Sequence, residues 1–189
     1  MMYKKNRGQV WIETVLYTVI GLAIIALVLS FAYPKLRAAQ ENLLIEQSIA
    51  TLNNLDKVIN IVNERGPGNI KTYTLSIKRG RLIFDEKNEK ISLEIKGIKT
   101  EYSEPGAPFS DGRVSVTTNE ASKGYTVTLS LSYLYPDNPT KKLIDIEVGD
   151  SALPDEIKEF VQAANPYIIS IAYGENPNTI SIEEGVSSS

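Results

Sequence analysis

The sequence predicts an α+β protein. A long N-terminal helix, transmembrane in its first half and amphipathic in its second, is followed by a mostly antiparallel β head domain. Three observations carry this expectation. A short basic stub, Lys4, Lys5 and Arg7, runs into apolar sequence that continues to Tyr33. Beyond it an apolar stripe keeps helical spacing until Gly66-Pro67-Gly68. After Gly68 the periodicity changes from helical to two.

From Val15 to Ala32 every residue is apolar or small except Tyr17 and Thr18. As a helix, Val10 to Tyr33 would reach roughly 35 Å, enough to cross a hydrocarbon core of about 30 Å. The basic stub places the N-terminus in the cytoplasm and the bulk of the chain outside, and Lys35 and Arg37 weaken that asymmetry. A secretory signal has a shorter apolar core with a small-residue cleavage site after it. The one such match, Ser30-Phe31-Ala32, lies at the end of a run too long for that reading. A plain single-pass anchor is the competing reading.

Pro34 lacks an amide hydrogen and is expected to kink or loosen the helix just beyond the span. Ile45, Ile49, Leu52, Ile59 and Val62 then form one helical stripe, widened by Leu44, Ser48, Leu55 and Val58. The predicted helix ends at Arg65, on the order of 80 Å from its start. Gly and Pro follow, as they commonly do at helix ends. The stripe fits either a stalk or coiled coil, or a helix that holds the head domain.

In the head, Thr72–Ile77, Leu82–Phe84 and Ile91–Ile95 alternate and are separated by turn sequences, which predicts a β-meander. Residues 103–112 read as a loop. Val114–Thr117, Tyr125–Tyr135, Leu143–Val148, Tyr167–Tyr173 and Thr179–Ile182 supply further strands. Pro154-Asp155-Glu156 predicts a short helix, with Pro in the first turn, acids at the positive end, and Asn165-Pro166 as its stop. The expected architecture is a sheet or sandwich of about seven or eight strands. Residues 69 to 189 are numerous enough for one core, so the head is expected to fold alone, less stably without the helix stripe.

Composition excludes several classes of function. The 189 residues contain no Cys and no His. There is thus no disulfide framework or thiolate chemistry, and the commonest acid–base group and metal ligand is missing. No nucleophile motif is present, so the chain reads as a non-enzyme, and no cofactor or metal site is predicted. Removing Lys4, Lys5 and Arg7 from 20 basic residues leaves 17 against 23 acidic, a net of −6 for residues 9–189. That balance argues against nucleic acid as a partner. Asp85, Glu86 and Glu89 alternate with Lys87 and Lys90 and read as a solvated hairpin tip rather than a cation site. Asp155, Glu156 and Glu159 suit a helix N-terminus. Lys78, Arg79 and Arg81 read as a solvated turn. Tyr125, Tyr133, Tyr135, Tyr167 and Tyr173 lie in or beside strands, where packing is the default, and an exposed subset would be a binding surface. Asn138 is followed by Pro139, so that sequon is not a glycosylation acceptor.

Glu13 is the residue that sharpens the reading. An ionised group costs on the order of 3 kcal/mol at mid-bilayer and less near the interface, so it needs a partner. The order basic stub, Gly8, Gln9 and then Glu13, at the fifth place from Gln9, resembles an archaeal type IV pilin precursor with a class III signal sequence. The resemblance covers residues 4 to about 64, and the head by architecture only. It implies a pilin-like fold, cleavage by a prepilin peptidase between Gly8 and Gln9, a signal stub carrying Lys4, Lys5 and Arg7, and Glu13 as the assembly glutamate. Gln9 departs from the bacterial habit of Phe and fits the archaeal pattern, and Glu13 favours pilin over archaellin.

The organisation expected is a signal stub at 1–8, a helix at 9–65 (transmembrane about 10–33, amphipathic about 35–64), an extracytoplasmic head at 69–184 and a tail at 185–189. The expected function is a structural subunit of a pilus-like surface filament, assembled through its N-terminal helix. Its partners would be the peptidase, identical or related subunits, and the membrane. It would be a membrane-inserted precursor first and part of a cell-surface filament once assembled. A non-polymerising membrane-anchored adhesion protein, and a minor pilin-like or archaellum-associated component, remain the alternatives.

Overall fold

The structure is a computed structural model and describes residues 7–149 and 157–185. Lys4 and Lys5, the Pro154–Glu156 segment and residues 186–189 lie outside the described residues. One helix, α1 (Arg7–Arg65), precedes twelve strands. These are β1 (Ile70–Leu75), β2 (Arg81–Asp85), β3 (Lys90–Ile98), β4 (Phe109–Asp111), β5 (Val114–Ala121) and β6 (Gly124–Ser132), followed by β7 (Leu134–Tyr135), β8 (Asn138–Lys142), β9 (Asp145–Val148), β10 (Ile157–Val161), β11 (Tyr167–Tyr173) and β12 (Thr179–Glu184). The chain divides into two compact units, Met1–Gln40 and Glu41–Ser189.

In the first unit α1 is a lone apolar helix, and no residue of its most apolar 18-residue window is buried. Among the described residues it is the one helix long and apolar enough to cross a membrane. It runs on through Pro34, which supplies no amide hydrogen to the Ser30 carbonyl.

In the second unit α1 buries the predicted stripe: Ile45, Ile49, Leu52, Leu55, Ile59 and Val62 are all in the core. The helix stops where expected. Gly66 takes a left-handed φ of 75°, and its amide donates to Val62 O at 3.2 Å. Asn69 Nδ2 donates to the Arg65 and Gly66 carbonyls, satisfying acceptors that a helix end leaves open.

The strands form a four-stranded sheet ordered β1-β11-β12-β9, a six-stranded sheet ordered β10-β2-β3-β6-β5-β4, and a small β7-β8 hairpin. All pairings are antiparallel except β12 with β9. Both sheets and the α1 stripe share one core. Gly124 (φ 111°) is required in the β5–β6 turn, because a Cβ there would run into the Ile98 carbonyl.

The eight predicted strands are present, and the structure adds four. Residues 157–161 are a strand, not the predicted helix: β10 pairs with β2 in the register Phe160↔Leu82. Phe160 is buried edge-on against Phe84, with ring centroids 5.6 Å apart. The tertiary contact decides a run too short for periodicity to type. β4 occupies the end of the predicted 103–112 loop. The long strand predicted to Tyr135 breaks at Tyr133, which is fully buried. Pro136-Asp137 then turns the chain back as the β7–β8 hairpin.

Candidate functional site

The candidate residues of the first unit lie on α1. Arg7, Gly8 and Gln9 form its start. Glu13 lies one turn further on, and Tyr17 Oη donates to Glu13 Oε1 at 3.3 Å. The spacing of four residues puts both groups on one face of the helix. Two further hydroxyls of the span are met by the helix itself: Thr18 Oγ1 donates to Thr14 O and Ser30 Oγ to Leu27 O, each at 2.8 Å. Such bonding lowers the cost of polar groups in hydrocarbon. Around them the apolar side chains are open, from Trp11 (73% exposed) to Tyr33. The helix has the length and composition of a membrane span, and its apolar surface has no cover within the unit.

The second unit holds three sites where buried carboxylates tie backbone or side-chain groups together. Glu41, 5% exposed, accepts from the amides of Lys99 and Thr100 at 2.9 Å each. Its side chain on α1 thus holds the chain that follows β3. Asp56, on the same helix, accepts from Tyr133 Oη at 2.9 Å. The Arg113 guanidinium stands 3.9 Å from the other Asp56 oxygen and 5.4 Å from the Tyr133 ring centre. Burial, with Asp56 beside it, pushes the Tyr133 phenol well above its ordinary pKa.

The third site corrects the reading of the Asp85–Glu89 turn. Lys87 and Asn88 are exposed, but the acidic side chain of Glu89 is not solvated. Glu89 is 1% exposed with a left-handed φ of 48°. Its Oε2 accepts from Ile146 N at 2.8 Å, and Glu86 Oε2 accepts from Val148 N at 3.0 Å. Lys142 Nζ bridges Glu89 Oε1 at 2.5 Å and Asp145 Oδ1 at 2.6 Å. Burial pushes the Glu89 carboxyl above the usual carboxylate range, against the opposing pull of Lys142 and the Ile146 amide. Burial lowers the Lys142 ammonium, but Asp145 and Glu89 more than offset it and hold it above its ordinary value. Nothing in the local sequence signalled this burial, because the partners lie 57 and 62 residues away.

The basic run is engaged rather than free. Lys78 donates to Gln47 Oε1, Arg79 to the carbonyls of Lys96 and Gly97, and Arg81 pairs with Glu94 and Glu159. Glu159 therefore sits on a strand beside a cation, not at a helix N-terminus. Among the described residues no group of three or more His, Cys, Asp or Glu is placed to hold a metal ion. Of the tyrosines singled out in the head, Tyr133 is buried and Tyr125, Tyr167 and Tyr173 pack partly buried against the core. Tyr135, on the β7–β8 hairpin, is exposed. A long N-terminal apolar helix followed by a β-rich domain is compatible with a pilin-like fold, and comparison with known protein families, curated proteins and solved structures found no match to the chain.

Proposed function

We propose that this chain is the precursor of a structural subunit of an archaeal type IV pilus-like surface filament. A prepilin peptidase would cut between Gly8 and Gln9, aided by the cationic stub of Lys4, Lys5 and Arg7. The observation that carries the reading is the division of one helix into two chemistries. From Ile45 on, the α1 stripe is buried in the head's core, whereas its first unit exposes apolar residues throughout and carries one acid, Glu13. Lipid would cover that surface in the precursor and neighbouring copies would cover it in the filament.

Cleavage leaves an ammonium at Gln9, one turn before Glu13. A buried charge is costly unless paired. In a filament, a copy shifted along the axis brings its new ammonium to this carboxylate, which sets the register, while the apolar side chains supply packing energy. Before assembly, Tyr17 donates to Glu13 within the same helix. That contact also suits the second reading, a single-pass adhesion protein that never polymerises, because the carboxylate then has a partner without a neighbour.

Intact-mass measurement of the membrane-extracted protein separates the two readings. Loss of residues 1–8 is expected for the filament subunit, and a mass that retains them overturns it. Glu13→Ala is expected to leave insertion and cleavage intact and to abolish filaments. Wild-type filament yield from that variant would refute the proposed role of Glu13.

A further inference from the structure

The β7–β8 hairpin and the outer face of β5 and β6 line an open cleft of about 510 Å³. We propose that this cleft binds a neutral, hydroxyl-rich saccharide. Its floor is built by strand alternation. Ser115 lies between the buried Val114 and Val116, and Ser130 between the buried Leu129 and Leu131, so both hydroxyls face away from the core. The two serines are directly opposite one another on β5 and β6, and Ser132 follows on the same face. The wall is the hairpin, which contributes Tyr135 and Pro139 to the lining. The Leu143 amide, bonded to Tyr133 O at 2.6 Å, closes the hairpin's base.

The chemistry of the lining selects the ligand. Its one charged side chain is Arg113. That guanidinium is committed to the Asp56 carboxylate at 3.9 Å and to the Ser132 carbonyl at 2.9 Å. The charge of Arg113 is thus partly met within the protein, and the rest of the lining is uncharged. Serine hydroxyls both donate and accept, which matches a ligand made of O–H groups. Tyr135 and the proline rings offer apolar surface to the C–H faces of a sugar ring. Lys141 Nζ stands over the Tyr135 ring, 4.6 Å from its centre, and Tyr135 is 37% exposed. The volume lies within the range of small-molecule sites. This inference is independent of whether the chain polymerises.

The test uses the full chain in a detergent without a sugar headgroup. It is applied to immobilised neutral glycans ending in hexose or N-acetylhexosamine, and to glycans bearing uronate, sialic acid or sulfate. Retention on neutral glycans is expected, unchanged when salt is raised to about 1 M. Tyr135→Ala and Ser130→Ala should each weaken it, Tyr135→Ala by about tenfold, with unfolding midpoints near wild type. If Tyr135→Ala perturbs the hairpin, Ser130→Ala decides. No retention on neutral glycans, retention on acidic glycans alone, or wild-type binding by the variants would overturn the proposal.

Discussion

Asp56 is a carboxylate on the buried face of a helix, 6% exposed, and one phenol makes its shortest side-chain contact. Tyr133 Oη donates to it at 2.9 Å from 77 residues away. Removing one partner of a buried polar pair leaves the other desolvated, whereas replacing both is nearly neutral. Tyr133→Phe keeps the ring and its packing but removes the donor. It should therefore destabilise the protein by about 1–3 kcal/mol, seen as a lower urea midpoint with an unchanged slope. A midpoint within error of wild type would show that Arg113 alone satisfies the carboxylate. Glu13 forms a carboxylate–phenol pair of the same type in the other unit, on an exposed helix face. Its helical neighbour Tyr17 was visible in the sequence as a residue four positions on, but only the structure shows its hydroxyl turned to the carboxylate.

At the scale of elements, β9 is an edge strand whose outer amides are not left open. It pairs with β12 on one side, and on the other Ile146 N and Val148 N are taken by Glu89 and Glu86. Exposed edge amides invite pairing with other chains, and carboxylates seated on them block it. The raised Glu89 pKa makes this clamp sensitive to pH. Between the ordinary carboxylate value of 4.5 and the raised folded value, the native state holds a proton that the unfolded state has released. Stability from this group is thus present in full below the ordinary value and is lost as pH rises through the folded one. Glu89→Gln, which cannot titrate, should flatten that part of the stability profile in urea titrations across pH 4–8. An unchanged slope with pH would show that Glu89 is not the group responsible. In β10, tertiary pairing overrides local helix preference. Pro154-Asp155-Glu156 is a sound helix start by local rules, yet Ile157–Val161 gains a five-residue ladder with β2 and buries Phe160.

At the scale of the molecule, the head's core is incomplete without α1. Six helix side chains from Ile45 to Val62 are essentially fully buried in it. Burying one aliphatic side chain contributes about 1.5–3 kcal/mol, so together they contribute on the order of 10 kcal/mol. That is comparable with the whole stability of a domain, about 5–15 kcal/mol. Residues 69–189 alone lack these six side chains. A fragment from Glu41 to Ser189 should unfold cooperatively, while one from Asn69 should lack a cooperative transition by circular dichroism. Equal midpoints for the two fragments would show that the stripe contributes nothing.

The sequence by itself determined the elements whose signal is long and periodic. These are the apolar run, the stripe from Ile45 to Val62, the stop at Gly66-Pro67-Gly68, and the eight alternating strands. Each follows from local chemistry: hydrophobic spacing, a missing amide hydrogen, a left-handed glycine. Tertiary structure alone decided the rest. Whether Glu89 is solvated or buried, whether 157–161 is helix or strand, and whether Tyr133 is buried depend on partners 50 or more residues distant. No local pattern encodes such a pairing, because its energy arises when two separately specified surfaces exclude water between them.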